Sequence, residues 1–540
     1  MTWHYANVWR TVGEAIPDRI AVANGDVRRT WRQYEERAAR LAAALVDAGL
    51  REGDKIGLYA HNSNEYLEAH YAIMKMGGVP VNVNYRYVDS ELTYLLDYAD
   101  AEALFFDAAF AERVGAVRAS VPKLKLLIEV DDGSGRHLQG ALRYEEIIAA
   151  SVPLPHRQLS DDAIYMLFTG GTTGLPKGVM YDQAAFSQNH LFGYQVAGLD
   201  VPQTHAELAR IVARLHRDGL APVSLTACPL MHGTGMFLGA VIPHHMGGTV
   251  VTYRDQRFDP AKVWRLVAQE RVTHLTIVGD ALARPLLDTL LAWQKTGTVP
   301  DLTSLRFIQS SGVAFSDEVK RGLLSFLDVT IFDLMSSSEG SMGRNVVTRA
   351  TPAAALSRIE PNLTTKVFAD DDREVAPGSD EIGMIGNGGS TPIGYYKDPA
   401  KSAITFRDIG GVRYSFPGDF AKVAADGSLV FLGRGSLCIN SGGEKIFPEE
   451  VEAAVKAHPD VEDCLVVGVE DQRFGERIAA VVSLRSGVEQ PPDLEAWSRS
   501  RLAGYKVPRL IVPVDEVRRA PNGKADYRWA RDMAAAARPG

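Results

Sequence analysis

Ten residues, TGGTTGLPKG from Thr169 to Gly178, combine four glycines, three threonines and one lysine directly after the apolar run AIYMLF. Glycine reaches backbone angles closed to other residues, so successive N–H groups can turn inward around an anion. The hydroxyls of Thr169, Thr172 and Thr173 add donors or metal ligands, and Lys177 adds a positive charge. That is chemistry for gripping phosphates. The spacing fits no familiar phosphate loop, because Lys177 stands between Pro176 and Gly178 and no Gly-x-Gly-x-x-Gly turn is present. Alone, the stretch reads equally well as a solvated loop between two strands.

Four other stretches carry candidate groups. DLMSSSEG (333–340) places three serines and Glu339 after the apolar segment DVTIF, at the end of a predicted strand, where open parallel sheets bind ligands. SFPGDFAKV (415–423) sets Asp419 behind a Pro-Gly turn. LGRGSLCINSGGEKIFPEEVE (432–452) joins Arg434 to a glycine-rich turn and a helix start, and RAPNGKADYRW (519–529) puts Lys524 on a Pro-Asn-Gly turn. Each is weak by itself.

The elements that must position these groups follow from hydrophobic periodicity. KIGLYA (55–60), VPVNV (79–83), ALFFD (103–107) and KLLIEV (125–130) read as strands, with helical spacing in NEYLEAHYAIMKMG and SELTYLLDYAD between them. That alternation predicts a parallel sheet covered by helices, and VTHLTIVG and SLRFIQSSG resume it. In 201–220, ELARIVARLHR aligns Leu208, Ile211, Val212 and Leu215 on one face, a helix packed on the domain surface. From about residue 380 short glycine-punctuated strands predict a β-rich subdomain, and a compact α/β pattern follows FLGRGS. A domain boundary is therefore expected at Gly433 to Ser436, dividing 1–433 from 434–540.

Composition sets the class. At 540 residues more than one domain is expected, and 46% apolar with 23% charged residues is ordinary for a globular protein. A net charge of −9 offers no basic excess for a nucleic-acid partner. Cys228, Cys438 and Cys464 form no metal spacing, and so sparse a count fits reduced thiols in a cytoplasm. No secretory signal precedes the first domain. Ser224 to Tyr253 lacks Asp, Glu, Lys and Arg, but its three histidines, two prolines and five glycines predict a buried interior and no transmembrane segment.

In this order, the five stretches resemble the motifs of the adenylate-forming enzymes: acyl-CoA synthetases, luciferases and the adenylation domains of peptide synthetases. TGGTTGLPKG resembles their signature loop, DLMSSSEG their Tyr-Gly-x-Thr-Glu motif, PGD their Thr-Gly-Asp, LGRGS their hinge and NGK their catalytic-lysine motif. Within the family, GDALARPLLDTL, AGYKVPR and GKADYRWA look most like actinobacterial CoA ligases for steroid side chains. Met335 replaces the motif's tyrosine, Ser338 its threonine and Pro417 the threonine before Gly-Asp, and Ser436 stands at the hinge where relatives carry aspartate or lysine.

The resemblance implies an α/β fold: a large N-terminal domain of two parallel-type sheets with a β-rich subdomain, then a small mobile C-terminal α+β domain. It implies ATP, Mg²⁺ and coenzyme A, and a large hydrophobic carboxylic acid activated as acyl-AMP and passed to CoA. Thr169, Gly170, Gly171, Thr172, Thr173, Gly174 and Lys177 would wrap the phosphates, with Glu339 and Thr172 on the metal. Gly312, Asp333, Met335, Ser336 and Ser338 would meet the nucleotide, Asp419 and Arg434 its ribose. Lys524 would bridge the substrate carboxylate and the α-phosphate, and Lys445 would make a second active-site or CoA contact. His232, in CPLMHGTGMF, would open the acyl site, with Met231, Met236 and Phe237 lining it. A homodimer is common in the family. A medium- or long-chain fatty acid, or a carrier protein in place of CoA, is the competing partner. A silent nucleotide-binding protein is disfavoured because Lys524, Glu339 and Asp419 are all present.

Overall fold

The computed structural model describes residues 2–169, 176–254, 257–352, 356, 358–441, 444–471, 475–488, 492–519 and 523–537. The chain divides into two compact units: Met1–Gly340 with Val346–Leu356 and Ser390–Phe406, and Ser341–Asn345 with Ser357–Gly389 and Arg407–Gly540.

The first unit contains two parallel sheets. One runs in the order Val79–Asn82, Lys55–Tyr59, Ala101–Asp107, Leu126–Val130, Leu142–Arg143, every pairing parallel. The expected helices lie between these strands, at Asn64–Met76 and Asp89–Tyr98. Ser63 starts the former by accepting the Tyr66 N–H, and Gly77 ends it in the left-handed region at φ 78°.

The other sheet runs Thr330–Ser337, Phe307–Ser311, His274–Ile277, Val223–Thr226, Thr249–Val251, Ile20–Asn24, again all parallel, with Val27–Thr30 antiparallel at the edge. Ile308, Leu275 and Leu225 are fully buried along its middle, the texture of strands covered on both faces. Its carboxyl ends bring the serines of SSG and DLMSSS side by side.

The uncharged stretch 224–253 is core, as its composition predicts. His244 Nε2 lies 3.1 Å from the Ala21 carbonyl, and His245 lies within hydrogen-bonding distance of the Trp9 indole and the Ser187 hydroxyl. Among the described residues no helix is long and apolar enough to cross a membrane. Helix His205–Arg217 buries Leu208, Val212 and Leu215, and Thr11 Oγ1 lies 2.8 Å from His205 Nδ1, so it packs on helix Tyr5–Ala15.

The second unit is β-rich, then mixed. Strands Val412–Ser415, Gly383–Asn387, Asp419–Val423 and Leu429–Arg434 pair antiparallel. A further sheet is built on the long hairpin Val461–Asp471 and Gly475–Leu484, with helices Pro448–Lys456 and Tyr527–Ala536 packed on it. A short helix spans Leu494–Arg499.

Candidate active site

In the first unit the glycine–threonine stretch joins the antiparallel strands Ile164–Thr169 and Lys177–Asp182, with Thr169 opposite Lys177. Gly170, Gly171, Thr172, Thr173 and Gly174 lie outside the described residues. Where the chain returns, Lys177 Nζ sits 4.1 Å from the centroid of the Tyr395 ring and 3.7 Å from Glu339 Oε1. The Tyr395 hydroxyl donates to the same carboxylate oxygen at 2.7 Å. Glu339 is 7% exposed, so its charge is held by a phenol and an ammonium, with little water.

Burial lowers the proton affinity of Lys177, and the Glu339 carboxylate partly restores it. Burial, then the Glu339 charge, raises the Tyr395 phenol far above its usual range, so it remains a neutral donor. A buried ammonium over an aromatic ring, beside one buried carboxylate, is equipment for a phosphate chain and its cation.

Behind this cluster the two strand ends interlock. The hydroxyls of Ser311 and Ser336 are 2.6 Å apart, and Ser311 donates to the Leu334 carbonyl at 2.8 Å. Gly312 follows at φ +90°, a conformation that strains any side chain, so glycine is required where the backbone leaves the sheet. Ser338 presents its carbonyl to the Tyr181 hydroxyl at 2.8 Å. Met335 is half-buried on the same strand. Asp333 is paired with Lys320 at 2.8 Å, where burial raises its carboxyl and the lysine opposes that.

His232 sits where the chain enters a wide-turned helix, Thr234–Val241, with i→i+5 hydrogen bonding, a form frequent at functional sites. Thr234 Oγ1 reaches the Ser311 carbonyl at 3.4 Å. The residues expected to line the acyl site are largely buried. Met231 is 2% exposed and its sulfur accepts the Tyr85 N–H, while Met236 and Phe237 pack in the main core. The described cavity lies further along the helix: Leu238, Ile242 and Met246 face Phe307, Phe332 and Leu334 of the sheet, and its polar side chains are His274 and Gln309.

In the second unit Arg434 Nε donates to Asp419 Oδ1 at 3.2 Å, the two residues facing each other across neighbouring strands. Gly433 has φ +128°, and a Cβ there would lie 2.1 Å from Glu449 Oε2. Lys524 is half-buried just after Gly523, a segment tied down by Arg519, which donates to the Gly523 carbonyl and pairs with Asp463. Lys445 lies on strand Glu444–Ile446, opposite Asn440.

Among the described residues no group of three or more His, Cys, Asp and Glu side chains could hold a metal. Magnesium needs no such cage, since it binds through one or two carboxylates plus substrate phosphates, and buried Glu339 supplies a carboxylate of that kind. The donor set fits.

Two residues of this machinery escaped the sequence reading. Tyr395 is one. Asn82 is the other: its amide bonds Phe168 and Met231 carbonyls at 2.8 and 2.7 Å and receives the Phe168 N–H, joining the phosphate-loop strand to the His232 segment.

The fold and this cluster define a nucleotide-using enzyme of the adenylate-forming kind. The chain belongs to the AMP-binding enzyme family: residues 9–392 match the AMP-binding enzyme model and residues 450–524 its C-terminal domain. It is 42% identical, over 96% of its length and 94% of the relative's, to a medium/long-chain-fatty-acid–CoA/3-oxocholest-4-en-26-oate–CoA ligase of Mycolicibacterium smegmatis. It is 41% identical, with the same coverage, to the 3-oxocholest-4-en-26-oate–CoA ligase of Rhodococcus rhodochrous. Among solved structures, anthranilate CoA ligase AuaEII in complex with anthranoyl-AMP superposes with a TM-score of 0.83 at 22% identity, covering 99% of this chain and 98% of that one.

Proposed function

We propose that this protein is an AMP-forming acyl-CoA ligase for large apolar acids, either sterol side-chain acids or medium- and long-chain fatty acids. The observation that carries the reading of the acid is the similarity over nearly the whole chain to ligases named for those two acid classes, and the cavity agrees with it in chemistry: apolar side chains from a helix and a sheet face each other, and among the described residues no Lys, Arg, Asp or Glu lines it. Such a space rewards each buried CH₂ by about 0.8 kcal/mol and refuses a second charge.

In the first half-reaction the acid's carboxylate oxygen bonds to the α-phosphorus of ATP, and pyrophosphate leaves. In the second, the CoA sulfur bonds to the acyl carbon, the thiol proton passes to solvent, and AMP leaves. The first step joins two anions, so the barrier is mainly electrostatic and positional. Lys177 with the loop from Thr169 to Gly174 would hold the phosphates. Glu339 and Thr172 would hold Mg²⁺, which would offset the negative charge of the phosphates. Asp419, kept in place by Arg434, would accept the ribose hydroxyls, and Gly312, Asp333, Met335, Ser336 and Ser338 would border the adenine. Lys524 would meet charge developing between carboxylate and phosphorus. His232 would border the acyl carbon, and Lys445 would serve a second contact or CoA.

Because Lys524 is needed in one half-reaction and CoA needs the space in the other, residues from 434 onward would rotate about Gly433 to Ser436. Incubation with ATP, Mg²⁺, CoA and either 3-oxocholest-4-en-26-oate, dodecanoate or butyrate tests the proposal. Acyl-CoA and AMP should form from the first two acids, with butyrate far poorer. Pyrophosphate release without acyl-CoA would point to a carrier protein as acceptor, and equal kcat/KM for butyrate would overturn the large-acid reading.

A further inference from the structure

The cavity is apolar apart from two side chains, His274 and Gln309, and Gln309 has no reason to be there unless something meets it. Gln309 lies between Ile308 and Ser310 on strand Phe307–Ser311, and is 8% exposed. It lines the cavity, yet its carboxamide oxygen has no hydrogen-bond partner among the described residues. Across the sheet its register partners are Thr276 and Phe332. The Thr276 hydroxyl, fully buried, is also without a partner. Buried polar groups are nearly always satisfied, so an orphaned carboxamide oxygen on a residue that lines a cavity marks a place for a ligand atom.

Water is a poor candidate for that place. An ordered internal water makes about two to four hydrogen bonds, and the other polar side chain of the lining, His274, already lies 2.8 Å from Thr273 Oγ1 through Nδ1. The remaining lining side chains are apolar. His274 is also neutral: burial lowers its pKa to about 4, and its ring stacks on Phe307 with centroids 4.7 Å apart. A neutral wall with one unsatisfied acceptor suits a neutral donor.

From this we infer that Gln309 is a specificity-determining residue, accepting a hydrogen bond from a hydroxyl borne part-way along the acid's apolar body. The inference rests on the acyl-CoA ligase reading and narrows it, from large apolar acids to those hydroxylated away from the carboxylate. Gln309 lies three positions, or about 10 Å along the strand, from Gly312, the backbone point assigned to the nucleotide to which the carboxylate is joined. A hydroxyl next to the carboxylate is therefore too near, and the favoured position lies in mid-chain. A site built to bond a hydroxyl rejects the analogue lacking it more strongly than an apolar pocket rejects an extra group.

The experiment measures kcat/KM for dodecanoate and for its monohydroxy isomers, in wild type and in Gln309→Leu, together with melting temperatures. Wild type should favour a mid-chain isomer over dodecanoate by about tenfold or more. In Gln309→Leu that ratio should fall to near one or below, with the melting temperature unchanged or raised, because an orphaned polar group has been replaced by carbon. A wild-type profile flat across the isomers, or a variant that slows every acid by one common factor, overturns the inference. So does a lowered melting temperature, which would mean the carboxamide is already bonded within the protein. Failure of wild type to form any acyl-CoA, dodecanoyl-CoA included, overturns the ligase reading itself and this inference with it.

Discussion

Replacing Tyr395 by Phe removes one oxygen from the Glu339 cluster and leaves the ring on which Lys177 rests. The lost contact is a 2.7 Å hydrogen bond from a buried phenol to a buried carboxylate. A bond to a charged group contributes about 1.5–3 kcal/mol, and the carboxylate left behind has little water to replace it. The carboxylate is then free to swing toward Lys177, already 3.7 Å away, and the two would neutralise each other when both should face phosphate. At about 1.4 kcal/mol per decade, the adenylation half-reaction should weaken roughly 10- to 100-fold. The effect should appear as a raised Mg²⁺ requirement in ATP–pyrophosphate exchange, with the KM for the acid nearly unchanged. Thioester formation from supplied acyl-adenylate should be almost unaffected. A variant with normal Mg²⁺ dependence and a lowered melting temperature would refute the argument, because Tyr395 would then be packing alone.

Two further outcomes follow from the second unit. Lys524→Ala should abolish most acyl-adenylate formation, about 10²–10³-fold, while thioester formation from supplied adenylate persists, and equal loss in both would remove the assigned role. Glu449 lies against Gly433, its Oε2 has no partner among the described residues, and burial with the nearby Glu452 carboxylate pushes its pKa up to about 7. Its folded pKa exceeds the unfolded value, so its stabilising neutral form is present at low pH and lost as pH rises through 7. Glu449→Gln should thus melt higher than wild type at pH 8, by on the order of 2 kcal/mol, and show little difference at pH 4.5. The opposite ordering at pH 8 would mean that the carboxylate is stabilised as an anion.

What could be read from the sequence, and what could not, divides along a physical line. Groups that meet ligands sit where the chain changes direction, and direction changes are written locally in glycine, proline, serine and threonine. The hairpin around Lys177, the strand end at Ser336 and the turn before Asp419 were legible for that reason. The alternation of strand and helix was legible because its periods are short. The residues that hold those groups are written across long separations. Tyr395 reaches Glu339 across 56 residues, and Asn82 reaches Phe168 and Met231 across 86 and 149. A tyrosine on a short strand ordinarily reads as core, and the one local hint, the doubled aromatic of IGYYKDP, does not say which ring turns inward.

Gln309 shows the intermediate case. In FIQSSG a lone amide alternates with Phe307 and Ser311, so its face could be read by period two, but not the cavity on that face. The cavity depends on where a wide-turned helix, 70 residues earlier in the chain, lays down Leu238 and Ile242, and wide turns leave no periodic signature. The methionines of CPLMHGTGMF, expected beside the acyl site, are buried at 2% and 3% exposure. Whether a buried methionine forms a wall of a site depends on the element opposite, and tertiary placement decides that. The chemistry of the reaction is thus local in this chain, whereas the identity of its acid is a property of two distant segments meeting.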